Sequence, residues 1–251
     1  MREIETVTVG SIESLLEEMV PKLGFQRTPI YRGQARASWK LLPSLYREEV
    51  GRSEFKSWAE LESAFLASLK ERAGGMVPYE PSTELEWMAV AAQHGLPTRC
   101  SAWSDNALVA LFYATDPAHA DEEGAVWRIM PGEAAFTISQ DYEQIPEVPR
   151  LYRPKRPTQA MRNQRVSFLS HPLPKEDASP ETFEDYFELG SDRIVLSKLV
   201  IPAGWKSYLR RRLSMMGVDH LSMSPGLAGL CQDLRDEIYC HTDSYEWIFP
   251  E

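Results

Sequence analysis

Two separated segments constrain this chain more than any other feature. One is Ile30-Tyr31-Arg32-Gly33-Gln34. The other runs from Gln93 through His94-Gly95-Leu96-Pro97-Thr98-Arg99-Cys100-Ser101-Ala102-Trp103-Ser104-Asp105-Asn106 into Ala107–Ala114. The first reads as a short strand that delivers Arg32 to a turn at Gly33, because Thr28-Pro29 turns the chain away from helix. The second begins as a polar, turn-rich run. It passes into a helix that carries Leu108, Leu111 and Phe112 and ends near Asp116-Pro117. A fold holding both must bring glycines and polar groups to a place where it would otherwise close its core.

Around these segments the apolar spacing predicts further elements. Ser11 reads as the cap of a helix carrying Ile12, Leu15, Leu16, Met19 and Val20, ended by Pro21 and Gly24. Phe55, Trp58, Leu61, Phe65, Leu66 and Leu69 mark a second helix, ended by Gly74-Gly75. Ser82 reads as the cap of a third, with Gly95 as its stop. Strand signals follow at 124–130, 165–169 and 193–201. A helix near 205–216 stops at Gly217, 218–222 reads as a short strand or turn, and 226–235 as a last helix. Residues 139–160 lack a period and read as a long surface excursion, and the acidic 172–190 stretch as an exposed insertion. Helices dominate the first half and strands collect in the second. The expected class is therefore α+β: one domain over 1–251, with a helical N-terminal half packed on a mixed, strongly twisted sheet.

Composition narrows the function classes. Hydrophobic residues make up 43%, enough for a sizeable core. No apolar run approaches the roughly 20 residues of a membrane span, and the charged N-terminus lacks the apolar region of a signal peptide. Three cysteines, Cys100, Cys231 and Cys240, form no CxxC pair. Reduced cytoplasmic thiols are expected, with no structural zinc. A net charge of −10 excludes a surface-wide nucleic-acid footprint. A local one remains open at Lys206 and Arg210-Arg211-Arg212, which also reads as the solvated face of a helix.

The chemistry-bearing residues have two readings each. Arg32, beside Gly33, presents a planar fork of donors suited to a phosphate or pyrophosphate, and Gly33 would let a ligand reach the backbone. It would equally pair with a core carboxylate. Ser104 or Asp105 stands where a helix cap belongs, and helix N-termini favour anions. The same segment could line a pocket, with Trp103 stacking on a planar ring. His94 and Arg99 flank a turn, and no second histidine near His94 suggests a metal site or a Ser/His/Asp triad. Gln164, at the start of a strand, is either a ribose-orienting amide or a surface polar residue.

Tyr31-Arg32-Gly33-Gln34 and the 93–114 run together resemble the FRG-domain family, named for its Phe/Tyr-Arg-Gly motif. The stretch from Pro202 to Leu234, with Gly217 and Pro225-Gly226-Leu227-Ala228-Gly229-Leu230, resembles that family's closing segment. FRG domains in turn look similar to ADP-ribosyltransferases of the Arg-Ser-Glu type, and the resemblance implies that fold. It implies catalytic roles for Arg32, Ser104 and Gln164. It further implies NAD contacts from Tyr31, Arg32, Gly33, Gln93, His94, Thr98, Arg99, Trp103, Ser104, Asn106 and Phe112. Gln164 stands where a catalytic glutamate is expected, and Val166 replaces a family glycine. A neutral amide holds a ribose hydroxyl but does not stabilise developing positive charge as a carboxylate does.

Three functions follow as expectations. One is an NAD-cleaving transferase acting on an unknown acceptor, as a bacterial toxin or phage-defence effector would. Another is a nucleotide- or nucleic-acid-binding module using the same cleft. The third is a partner-binding protein.

Overall fold

A computed structural model of the chain describes residues 4–19, 28–48, 53–130, 147–174, 178–189 and 195–242. Seven strands form one mixed sheet in the order β1-β7-β4-β2-β3-β6-β5. They are β1 (Glu5–Thr8), β2 (Ile30–Gln34), β3 (Cys100–Ser104), β4 (Gly124–Met130), β5 (Arg150–Tyr152), β6 (Val166–Ser170) and β7 (Val195–Ile201). β1 pairs with β7 in parallel, and the other pairings are antiparallel. The class is α+β, as expected. The division into a helical half and a strand half is not what forms, because β1 to β4 all precede residue 131 and helices are interspersed among them.

The helices of the described residues are α1 (Ile12–Met19), α2 (Trp58–Arg72), α3 (Glu84–Gln93), α4 (Ala107–Ala114), α5 (Gln159–Asn163), α6 (Phe183–Leu189), α7 (Lys206–Met215), α8 (His220–Met223) and α9 (Leu227–Thr242). Their caps follow the local chemistry. The Ser11 hydroxyl accepts from Ser14 N at 3.1 Å, and Thr83, one residue after the expected Ser82, accepts from Glu86 N. Gly95 and Gly217 sit at φ 81° and 76°, the left-handed conformation that ends a helix. The stretch expected as a short strand or turn at 218–222 folds instead as a capped turn of helix. The Asp219 carboxylate takes Ser222 N at 2.7 Å, and the Ser222 hydroxyl takes Asp219 N at 2.9 Å. The expected stops at Pro21 and Gly24 lie outside the described residues, as does 139–146 of the predicted excursion.

One face of the sheet is covered in two parts. Over β4, β2 and β7 the core joins Val109–Phe112 and Ala114 of α4 to Leu15, Met19, Leu209 and Leu213. Over β3 and β6 it joins Met88 and Val90 of α3 to Cys100, Met161 and Phe168. The opposite face buries Ile30, Trp103, Trp127, Ile129, Leu169 and Leu196 beneath Phe183 and Phe187. Those two phenylalanines stand four residues apart on α6, so their rings share a side of the helix. Part of the stretch read as an exposed insertion is thus a lid on the core, and each buried phenylalanine contributes about 1.5–3 kcal/mol.

The sheet is continuous but nearly split. β2 pairs with β4 over five positions and β3 with β6 over five, whereas β2 meets β3 only at Tyr31 and Ser104. Two half-sheets therefore join at one residue pair, and the strands part beyond it.

Candidate functional site

α4 determines how the parting strands are held. A Cβ on Gly33 would stand 1.8 Å from the Ala110 carbonyl oxygen, and one on Gly124 would stand 2.2 Å from that of Ala114. Ala110 and Ala114 are one helical turn apart, so two alanines rest on two glycines of neighbouring strands. Gly33 therefore admits the helix, where the sequence suggested it would admit a ligand.

Arg32 points to the other face and bridges the gap. Its Nη1 donates to the Ala102 carbonyl of β3 at 2.7 Å. Burial, then the nearby Arg47 charge, pushes its guanidinium down to about 10, still charged at neutral pH. A cavity of about 160 Å³ opens beside it, lined by Arg32, Gly33, Gln34, Ala35, Trp39, Arg47, Tyr113, Asp116 and His119. Arg47 ends a 3-10 turn, Ser44–Arg47, and donates to the Leu42 carbonyl at 2.7 Å. Among the described residues neither Arg32 nor Arg47 forms an ion pair with a carboxylate. The guanidinium carbons of Arg36 and Arg47 lie 5.8 and 5.7 Å from the Trp39 ring centre, and the His119 ring meets Trp39 edge-on at 5.3 Å.

The walls are tied from behind. Lys206 of α7 is 1% exposed, and its Nζ donates to the Ala35 and His119 carbonyls at 2.6 Å each. Arg210 Nη1 donates to the Phe112 carbonyl at 2.7 Å, so a cation satisfies part of the negative C-terminal end of α4.

The other residues picked out in the sequence have structural duties. Ser104 is 4% exposed. Its hydroxyl donates to the Gln164 carbonyl at 2.6 Å and accepts from Asn106 N at 2.9 Å. Gln164 is buried, and its amide donates to the Met223 carbonyl at 2.6 Å, tying α5 to α8. Ser104 and Gln164 thus touch each other, but neither lines the cavity beside Arg32. Asn106 caps α4 by taking Leu108 N, and the cavity lies at the opposite end of that helix.

Trp103 is 1% exposed, with its indole N–H on the Ser101 hydroxyl, and so offers no open ring face. Tyr31 is buried and donates to the Met19 carbonyl at 2.6 Å. Phe112 is buried under the Arg210 guanidinium, 3.5 Å away. Arg99 forms a buried ion pair with Glu62 at 3.2 Å, and burial raises the Glu62 carboxyl. Thr98 fastens the 3-10 turn to β3 through Ser44 and Leu45. Gln93 closes α3, and His94 is its exposed C-cap.

Of the expected set, Arg32 and Gly33 line the cavity. Trp39, Arg47, Tyr113, Asp116 and His119 were not singled out. The signal available for two of them was the basic and aromatic run 36–47, directly after the Tyr-Arg-Gly motif. No helix among the described residues is long and apolar enough to cross a membrane, and no group of three or more His, Cys, Asp or Glu among them is arranged to hold a metal ion.

With this geometry in view, residues 27–123 match the FRG domain. The matched segment includes every cavity-lining residue and excludes Gln164 and Lys206. No curated protein and no solved structure matches the chain.

Proposed function

We propose that this protein binds a nucleotide through its phosphates in the cavity beside Arg32. One observation carries the reading: two guanidiniums, Arg32 and Arg47, share a cavity, and neither has a carboxylate partner among the described residues. Like charges held together without a carboxylate paired to either are costly, and an anion between them lowers that cost. Trp39 and Tyr113 on the rim offer aromatic surface to a base or ribose.

Transfer of ADP-ribose from NAD is the second reading. The FRG match and the position of Arg32 in a parting sheet favour it, and Asp116 brings one carboxylate to the same cavity. Binding without transfer is the better-supported reading, because the polar atoms of Ser104 and Gln164 are already committed to the fold.

Calorimetric titration with ADP and NAD tests the proposal. Arg47→Ala is expected to weaken binding about 10- to 100-fold, the equivalent of one charge-assisted hydrogen bond of about 1.5–3 kcal/mol. Arg47 is exposed, so the variant keeps its fold. Unchanged affinity would sink the reading. Release of nicotinamide from labelled NAD would instead establish the second.

A further inference from the structure

We propose that the cavity takes the terminal phosphate of a nucleotide, and that His119 is its third donor. The inference rests on the phosphate-binding reading above and narrows it.

Size comes first. A volume of about 160 Å³ is roughly half the lower bound, about 300 Å³, of sites that enclose a whole drug-sized ligand. The cavity cannot deepen at Gly33, where the α4 backbone already lies against the strand. Its walls cannot separate freely, because Lys206 holds the Ala35 and His119 carbonyls together. A ligand therefore enters by one end. The diphosphate of NAD carries a ribose on each side, whereas that of ADP ends in a free phosphate. A terminal phosphate presents three acceptor oxygens and a charge of about −1.5 to −2 at neutral pH.

The donors match that end. Arg32 and Arg47 supply two planar forks. The His119 Nδ1 stands 3.3 Å from the Glu122 carboxylate, which is itself held by Arg36 Nε at 2.6 Å. That carboxylate keeps the proton on Nδ1 and leaves Nε2 with no partner among the described residues. Nε2 donates to an anion only when the ring carries both protons. The charged groups around the ring are Glu122 and Arg36 on its Nδ1 side, Lys206 at its carbonyl, and Arg32, Arg47 and Asp116 across the cavity. Tyr113 is the remaining titratable group there, and Trp39 packs on the ring without charge. Phosphate bound among them favours the protonated ring, so affinity rises as pH falls.

Calorimetry on the intact chain with ADP, NAD and inorganic sulfate separates the parts. ADP is expected to bind at least about tenfold tighter than NAD. His119→Gln should weaken ADP about tenfold and leave NAD unchanged. Sulfate keeps a constant charge from about pH 8 to 5.5 and supplies the pH arm: its affinity should rise on acidification in the parent chain and stay flat in His119→Gln. NAD binding as tightly as ADP would overturn the terminal-phosphate assignment. A His119→Gln variant with parental affinity and pH profile would overturn the role of His119. No anion binding in the parent chain, or none lost in Arg47→Ala, would instead overturn the underlying phosphate-binding reading.

Discussion

His171 shows how a single residue can be costly without being catalytic. It follows β6, is 1% exposed, and leaves its Nδ1 without a hydrogen-bond partner. Burial, and then the Arg32 charge, lowers its ionisation from 6.5 to about 3. The folded ring therefore stays neutral while the unfolded one takes a proton below 6.5. The unfolded state binds more protons in that window, so stability is full above 6.5 and falls as pH drops towards 3. At pH 5 the loss is about 2 kcal/mol. His171→Phe should remove that share of the acid sensitivity, which urea midpoints at pH 7.5 and 5 would reveal. Equal acid-induced losses in the two proteins would refute the assignment.

The same scale explains what the sequence did and did not disclose about the site. Arg32 stood out as an arginine beside glycine at a strand end, but the sequence left it equally open to pairing with a core carboxylate; in the structure it donates to the Ala102 carbonyl and lines the cavity. Ser104 and Gln164 were legible as polar residues in unusual places. Their engagement with each other, and with Asn106 and Met223, depends on contacts as many as 60 residues apart in sequence. Trp39, Tyr113 and His119 become neighbours only when α4 docks on β2.

At the scale of elements, α4 on β2 and β4 is the contact that positions the cavity. Gly33→Ala places a methyl group 1.8 Å from a backbone carbonyl oxygen, which no side-chain rotation relieves. The helix must shift, at a cost of about 3 kcal/mol or more, as for severe overpacking. Chemical denaturation should show this loss, and ADP affinity should fall with it because Tyr113 moves. A variant of parental stability would mean that the contact is looser than described.

Elements with strong periodicity were readable, among them α1, α2, β4 and β7. β3 was not, because its buried Ser101 and Ser104 look like loop residues until Trp103 and Phe168 are seen packing on opposite faces. β5, with three residues, is too short to carry a period. α6 was hidden by its acidic residues, although Phe183 and Phe187 already had helical spacing. Glu184 among them is not solvated: its carboxylate takes Leu41 N at 3.1 Å and ties the helix to the segment after β2.

At the scale of the molecule, the cavity draws its walls from β2, the 3-10 turn at 44–47, the end of α4 and the segment at 116–119, with α7 bracing them. A ligand there stabilises all of these together. ADP at 100 times its dissociation constant contributes about 2.7 kcal/mol, which for a chain of this size is a rise of about 5–10 °C in Tm. Thermal melts should show that rise in the parent chain and a much smaller one in Arg47→Ala at the same ADP concentration. A rise of equal size in both would point to a site elsewhere.

The bond from Arg32 to the Ala102 carbonyl has a mechanical side. Past Tyr31 and Ser104 the half-sheets share no further strand pairing, and this guanidinium is a latch across the opening. The same group lines the cavity, so on the proposed reading an anion gripped there would also bear on the closure of the seam. Pulling the two halves apart would release the latch and, on the proposed reading, loosen the hold on phosphate. On the proposed reading, anion affinity would therefore track the tension on that seam, read at a single arginine.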